Sequence, residues 1–296
     1  MERTLNFDHW ARHQLDAVEA ALETWVPEDA PAGLGEAMRY GVLDGGKRLR
    51  PLLVLAACEA LGGSREAALR SAAAVELIHA YSLVHDDMPC MDNDVLRRGK
   101  PTVHVKYGEA QAMLAGDAMQ ALAFEILTPD EGVEPVLQAR LVRLLARAAG
   151  HAGMAGGQAI DLANTGRMLD EATLREMHRK KTGALLLASV QMGAACGSPT
   201  PATWQALSVY GEAIGLAFQV VDDILDCTQA SDKLGKTAGK DQEANKPTYV
   251  SVLGLEPARR YAQELRTQAL AALERSGLAD VAALAAIADK VVEREN

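Results

Sequence analysis

Aromatic residues are scarce in this chain, only 4% of its 296 residues, and β-branched runs between turn signals are scarcer still. That removes the usual material of strands and leaves an all-α reading. Excess positive charge is missing too. Thirty lysines and arginines stand against 40 acids, for a formal charge of -10, which excludes a general nucleic-acid binder because such a protein neutralises phosphates with a basic surface. No stretch reaches the roughly 18 uninterrupted apolar residues of a membrane span. The N-terminal MERTLNFDHW lacks the apolar centre of a secretory signal, so a cytoplasmic protein without stable membrane insertion is expected. The four cysteines, Cys58, Cys90, Cys196 and Cys227, form no Cys-x-x-Cys pair, which suits reduced thiols rather than disulfides or a zinc site.

What the chain does contain is 49% hydrophobic residues, rich in alanine and leucine and enough for a substantial core. Apolar positions recur at helical spacing in about twelve segments. They are punctuated around Pro27 to Pro31, Gly62-Gly63, Pro129 to Gly132, Gly197 to Pro201 and Gly235 to Pro247. None of these breaks is a long linker, so residues 1–296 are expected to form one helical bundle. Two segments, Ala67 to Val84 and Gly211 to Leu225, are apolar nearly all round, which places them at the centre of the bundle.

Both central segments run into aspartates, Asp86-Asp87-Met-Pro-Cys-Met-Asp92 and Asp222-Asp223-Ile-Leu-Asp226. Asp222 and Asp226, four apart, turn by about 40° on a helix and share one face. Asp86 and Asp92, six apart, would diverge by about 240° on an unbroken helix. Pro89 should therefore end the helix after Asp87 and let the chain bring Asp92 back. Carboxylates crowded at the negative end of a helix need cations. Hard oxygen ligands in small number suit magnesium shared between protein and substrate phosphates. Basic residues gather in four places, at Lys47-Arg48-Leu-Arg50, Arg97-Arg98-Gly-Lys100, Arg179-Lys180-Lys181-Thr182, and Lys236 through Lys246, as an anionic ligand requires in an acidic chain.

GGKRLRP, DDMPCMDNDVLRRGKPT, GGQAIDL, KTG, FQVVDDILD and LGKTAGKDQEANKPTY stand in the order found in trans-isoprenyl diphosphate synthases, and the chain resembles that family from about Gly35 to Leu255, most closely its bacterial farnesyl branch. The resemblance implies an isoprenoid-synthase bundle with a central substrate cavity, usually homodimeric. Its partners would be isopentenyl diphosphate and an allylic diphosphate, with three magnesium ions once substrate is bound. It assigns Asp86, Asp92, Asp222 and Asp226 to metal, with Asp87 and Asp223 behind them. Arg97, Lys181, Thr182, Gln219, Lys236 and Lys246 fall at the allylic diphosphate and the developing cation, all but Lys246 in catalytic roles. Lys47, Arg50, His79 and Arg98 fall at the isopentenyl diphosphate. Gln158 and Asp161 are expected to lend supporting hydrogen bonds. The implied reaction is ionisation, condensation and elimination to farnesyl diphosphate (C15), the alternatives being a geranylgeranyl or geranyl synthase and, from another class, a non-catalytic regulatory subunit. A terpene cyclase would leave GGKRLRP and LRRGKP without purpose.

Tyr81 lies five residues before Asp86, about 7.5 Å deeper along its helix, and with its neighbour Ser82 is expected to floor the pocket and fix product length. Glu76-Leu-Ile-His79 has the spacing used by di-iron bundles, but that class needs two such motifs. Val95 stands where the family commonly has another acid, and the tail around Arg294 is less basic than tails that help close the allylic pocket.

Overall fold

The computed structural model describes residues 5–43, 45–166, 169–228 and 248–294, and they are overwhelmingly helical. The only strand pairing among them is a minute hairpin, β1 (Leu96–Arg97) against β2 (Lys100–Pro101). Helices α1 (Phe7–Trp25), α2 (Leu34–Val42) and α3 (Leu49–Ala60) lead into α4 (Arg65–Asp86). After the hairpin come α5 (Val103–Tyr107), α6 (Glu109–Ile126), α7 (Pro135–Ala149), α8 (Met154–Ala163) and α9 (Glu171–His178). A π-helical turn, Arg179–Gly183, joins α9 to α10 (Ala184–Ala195), which is followed by α11 (Pro201–Thr228). The chain closes with α12 (Tyr249–Leu253), α13 (Leu255–Glu274) and α14 (Ala282–Glu293).

Packing places these helices in three tiers. Buried residues of α1, α2, α4, α6 and α7 form one apolar cluster, and those of α11, α13 and α14 form a second. α3 and α10 lie between and feed both: Val54 and Leu55 join the first cluster while Leu52 and Leu53 join the second, and Leu185 and Leu186 divide in the same way. Gly193 lets α10 lie directly on α3, since a Cβ there would collide with the Val54 carbonyl oxygen.

The two segments read as central are so. α4 starts on Ser64, whose hydroxyl accepts the Ala67 N–H at 3.3 Å, a cap that satisfies an otherwise orphan donor. From Ala67 to Val84 it buries residues on every side. α11 is buried from Thr203 through Asp226 on most of its surface. No helix among the described residues is long and apolar enough to cross a membrane.

Candidate functional site

α4 ends at Asp86, with Asp87 as its C-cap, so the helix stops just ahead of Pro89 as the proline required. The next residues fold back on the helix end: Asp92 N–H donates to the Asp86 carbonyl at 2.8 Å and Asn93 N–H to that of Met88 at 3.1 Å. Asn93 takes a left-handed φ of 52°, a conformation asparagine tolerates better than most residues. Asp86 and Asp92 therefore meet at one helix end. Burial pushes the Asp86 carboxyl up to about 6; Lys181 and Arg97 pull it down, while Asp92 and Asp87 add to the rise.

The hairpin is built to separate two arginines. Arg98 and Gly99, with φ of 52° and 77°, form the two-residue turn with positive φ at both positions that suits tightly paired strands. Arg97 on one side grips the buried Asp87 carboxylate with Nε at 2.8 Å and Nη2 at 2.6 Å. Arg98 on the other side donates to the Gly45 carbonyl, and Gly46 leaves its guanidinium room where a Cβ would collide. LRRGKP and GGKRLRP are thereby joined, bringing three of the four residues expected at one diphosphate together, Arg98 and Arg50 beside His79.

Within that cluster the roles divide. Arg48 is buried and purely structural, bonded to Glu19 at 2.7 Å, Glu76 at 2.6 Å and the Val42 carbonyl at 2.6 Å. Glu76 is paired with Arg48 at 2.6 Å, so the residue that carried the di-iron spacing serves a buried ion pair. Arg50 keeps a buried Nε without a hydrogen-bond partner, which costs stability unless a ligand satisfies it. His79 is held well below its usual range by burial and by Arg50, Arg98, Arg97 and Arg48. It is therefore neutral, with ring nitrogens able to donate or accept among guanidinium groups.

Lys181 and Thr182 stand on the π turn, a geometry that inserts one residue into a helix and is frequent at functional sites. Lys181 Nζ meets Asp161 of α8 at 2.6 Å. α8 approaches closely because it has Gly157, where a Cβ would strike the Lys181 backbone nitrogen. Thr182 donates to Gln219 at 3.1 Å, and Gln219 donates to Asp223 at 2.8 Å. Asp223 is buried and also accepts the Tyr249 N–H at 2.7 Å, so it orients Gln219 and anchors α12. Asp222, 39% exposed at its side chain, is the open carboxylate of the second motif, while Asp226 one turn on is buried. Lys181 acts on Asp86, and His178 beside it senses both Lys181 and Asp222. The two aspartate motifs thus flank the π turn. Lys236 and Lys246 lie outside the described residues.

Two participants, His178 and Tyr249, escaped the sequence reading, and a third, Arg294, entered it only as part of a weakly basic tail. Arg294 donates to the Phe218 carbonyl at 2.6 Å, lies over the Phe218 ring at 4.0 Å and sits 3.5 Å from Asp222. The tail thus does reach the second motif, through this one arginine. His178, stacked on Tyr249 at 5.5 Å, has neither ring nitrogen hydrogen-bonded, and burial lowers it to about 4. The only signals for the first two were adjacency, His178 to the lysine-threonine signature and Tyr249 to Lys-Pro-Thr; Arg294 was marked by its place in the tail.

Tyr81 is 9% exposed. It packs edge-on against His85 with ring centroids 5.7 Å apart, and its hydroxyl meets the Gln120 side chain. Ser82 donates back to the His79 carbonyl at 2.8 Å. His85 in turn lies against α6, where Gly116 gives it space.

Among the described residues no three His, Cys, Asp or Glu side chains gather closely enough to hold an ion. Fold and site together define an all-helical protein in which two acidic helix ends and cationic side chains converge on one region. A sequence profile of the polyprenyl synthetase family matches residues 31–288, and the chain belongs to that family, whose members transfer prenyl groups. It is 46% identical to a chloroplastic geranylgeranyl pyrophosphate synthase of Capsicum annuum, across 100% of this chain and 80% of that protein. The structure of an FPP/GFPP synthase from Zymomonas mobilis superposes with a TM-score of 0.86 at 43% identity, covering 97% of this chain and 99% of that one. A geranyltransferase from Helicobacter pylori, complexed with magnesium and isoprenyl diphosphate, does so with 0.84 at 34% identity, covering 98% of each chain. The condensing prenyltransferase expected from the motifs is what the chain is.

Proposed function

We propose that this prenyltransferase condenses an allylic diphosphate with isopentenyl diphosphate, the former held at the two aspartate motifs and the latter at Lys47, Arg50, His79 and Arg98. The observation that carries this is the π turn. It presents Lys181, restrained by Asp161, together with Thr182 and Gln219, at one point between two acidic helix ends.

Asp86 and Asp92 from one side and Asp222 and Asp226 from the other would hold magnesium, which neutralises charge on the departing diphosphate. The residues fit that ion by their donor chemistry, since magnesium favours hard oxygen ligands, one or two carboxylates completed by phosphate oxygens. Lys181 places a fixed positive charge where negative charge develops. Thr182 and Gln219 turn oxygen dipoles toward the allylic carbon without a nucleophile that would trap the cation. Arg97 acts through Asp87, holding the hairpin against α4. Arg50 and Arg98 fix the second diphosphate, so that orientation supplies much of the rate.

On product length two lines of support diverge. The names of curated relatives, such as the pepper enzyme, favour the C20 alternative over the farnesyl reading. The buried ring of Tyr81, five residues before Asp86 on the same helix, would offer a C15 stop, but the relatives support the geranylgeranyl alternative better than the farnesyl reading, and C20 is the product we propose. Incubation with dimethylallyl and isopentenyl diphosphates plus magnesium, followed by sizing of the dephosphorylated products, separates them. C20 is expected, a dominant C15 product restores the farnesyl reading, and no condensation at all defeats both.

A further inference from the structure

A second cavity lies apart from the aspartate-bearing site. It is a groove of about 640 Å³ on the other side of α10, and none of the aspartates or Lys181 lines it. Its floor is apolar, with Leu187, Leu216 and Trp204. Its walls are basic: Arg140, Arg143 and Arg147 stand at helical spacing along α7, and Arg175 and Arg179 face them from α9 and the π turn. Glu212 is the only acid in the lining. Arg140 stacks over Trp204 at 4.4 Å and Arg179 is paired with Glu176 at 2.7 Å. Arg143 and Arg147 make no ion pair among the described residues.

We propose that this groove is a second binding site, for a single-chain amphiphile with a diphosphate head, the class of molecule that the catalytic site releases; the choice of ligand rests on the prenyltransferase reading above. A purely apolar occupant would leave the arginine walls uncompensated, and a bare anion would leave the floor wet. Only a ligand with both parts satisfies both surfaces. The size suits it, since small-molecule pockets run from roughly 300 to 1,000 Å³. A second copy of this chain meeting the groove face to face would set arginine against arginine across a twofold contact. Arg179 and Gly183 are the two ends of the π turn that carries Lys181 and Thr182, so an occupant leans on the back of the catalytic turn.

The test uses the Asp86→Ala, Asp222→Ala, Lys47→Ala, Arg98→Ala protein in EDTA, which disables both diphosphate sites of the catalytic cavity. Farnesyl diphosphate, farnesol and inorganic diphosphate are titrated separately by calorimetry, with tryptophan fluorescence as a second readout because Trp204 lines the groove. Farnesyl diphosphate is expected to bind once per chain, at least tenfold more tightly than either fragment. Adding Arg143→Glu and Arg147→Glu should weaken it tenfold or more. An unchanged affinity after that double reversal overturns the proposal, and so does inorganic diphosphate binding as tightly as farnesyl diphosphate. Turnover of the parent protein is measured apart from this titration, so failure of the catalytic reading and failure of the groove give different results.

Discussion

Single residues carry the sharpest consequences, and Asp86 is foremost. Its folded carboxyl is raised to about 6 by burial, against about 4 in an unfolded chain. Between those values the folded protein binds more protons than the unfolded one, so metal-free stability falls as pH rises through that window. Asp86→Asn should therefore raise metal-free stability at pH 7 by about 3 kcal/mol at most, readable by denaturant unfolding in EDTA. A variant no more stable than the parent would show that the carboxylate is not strained. The protonated form cannot ligate a cation, so kcat/KM at fixed magnesium should drop as pH is lowered through about 6. Asp86→Ala or Asp222→Ala should cost orders of magnitude in turnover with helix content unchanged by circular dichroism. Tyr81→Ala should lengthen the product beyond that of the parent; an identical chromatographic profile would remove Tyr81 as the floor.

At the level of elements, the π turn is the decisive device. Its extra residue sets the angle at which Lys181 leaves the helix toward Asp161. Deleting Lys180, which returns the turn to ordinary helical register, should swing Lys181 away and cost about 100-fold in turnover, the scale of a 1 Å misplacement at a reacting centre, with circular dichroism unchanged. Gly157→Ala should act from the opposite partner. The added methyl collides with the Lys181 backbone, a local overpacking worth about 1–3 kcal/mol, seen as lower thermal stability together with lower turnover. If stability falls while turnover holds, α8 supports the fold but not the position of Lys181.

Across the whole molecule, α4 and α11 bring acidic ends to one region, and their mutual repulsion is relieved by whatever neutralises both. Magnesium with inorganic diphosphate should thus raise the melting temperature by several degrees, since saturation at about 100 times Kd contributes about 2.7 kcal/mol. Either component alone should do much less, and Asp222→Ala should abolish most of the gain. Equal stabilisation by diphosphate without magnesium would defeat the shared-metal account.

What the sequence determined by itself is everything that depends on spacing along one element: the helical class, the buried course of α4 and α11, the common face of Asp222 and Asp226, and the helix end ahead of Pro89. These are local, because a helix fixes angle per residue and a proline removes a donor wherever it stands. Only the tertiary structure decided which charges are spent. Arg48 and Arg50 are two residues apart and chemically alike, yet Arg48 is consumed by Glu19 and Glu76 while Arg50 keeps a buried donor unsatisfied. Asp222 and Asp223 are adjacent, yet one opens to the site and the other ties Gln219 to α12. Partners 20 to 70 residues distant along the chain make those choices, as with Lys181 and Asp161 or Arg294 and Asp222. No local spacing can encode them, because the energy of a charge depends on what the fold sets against it.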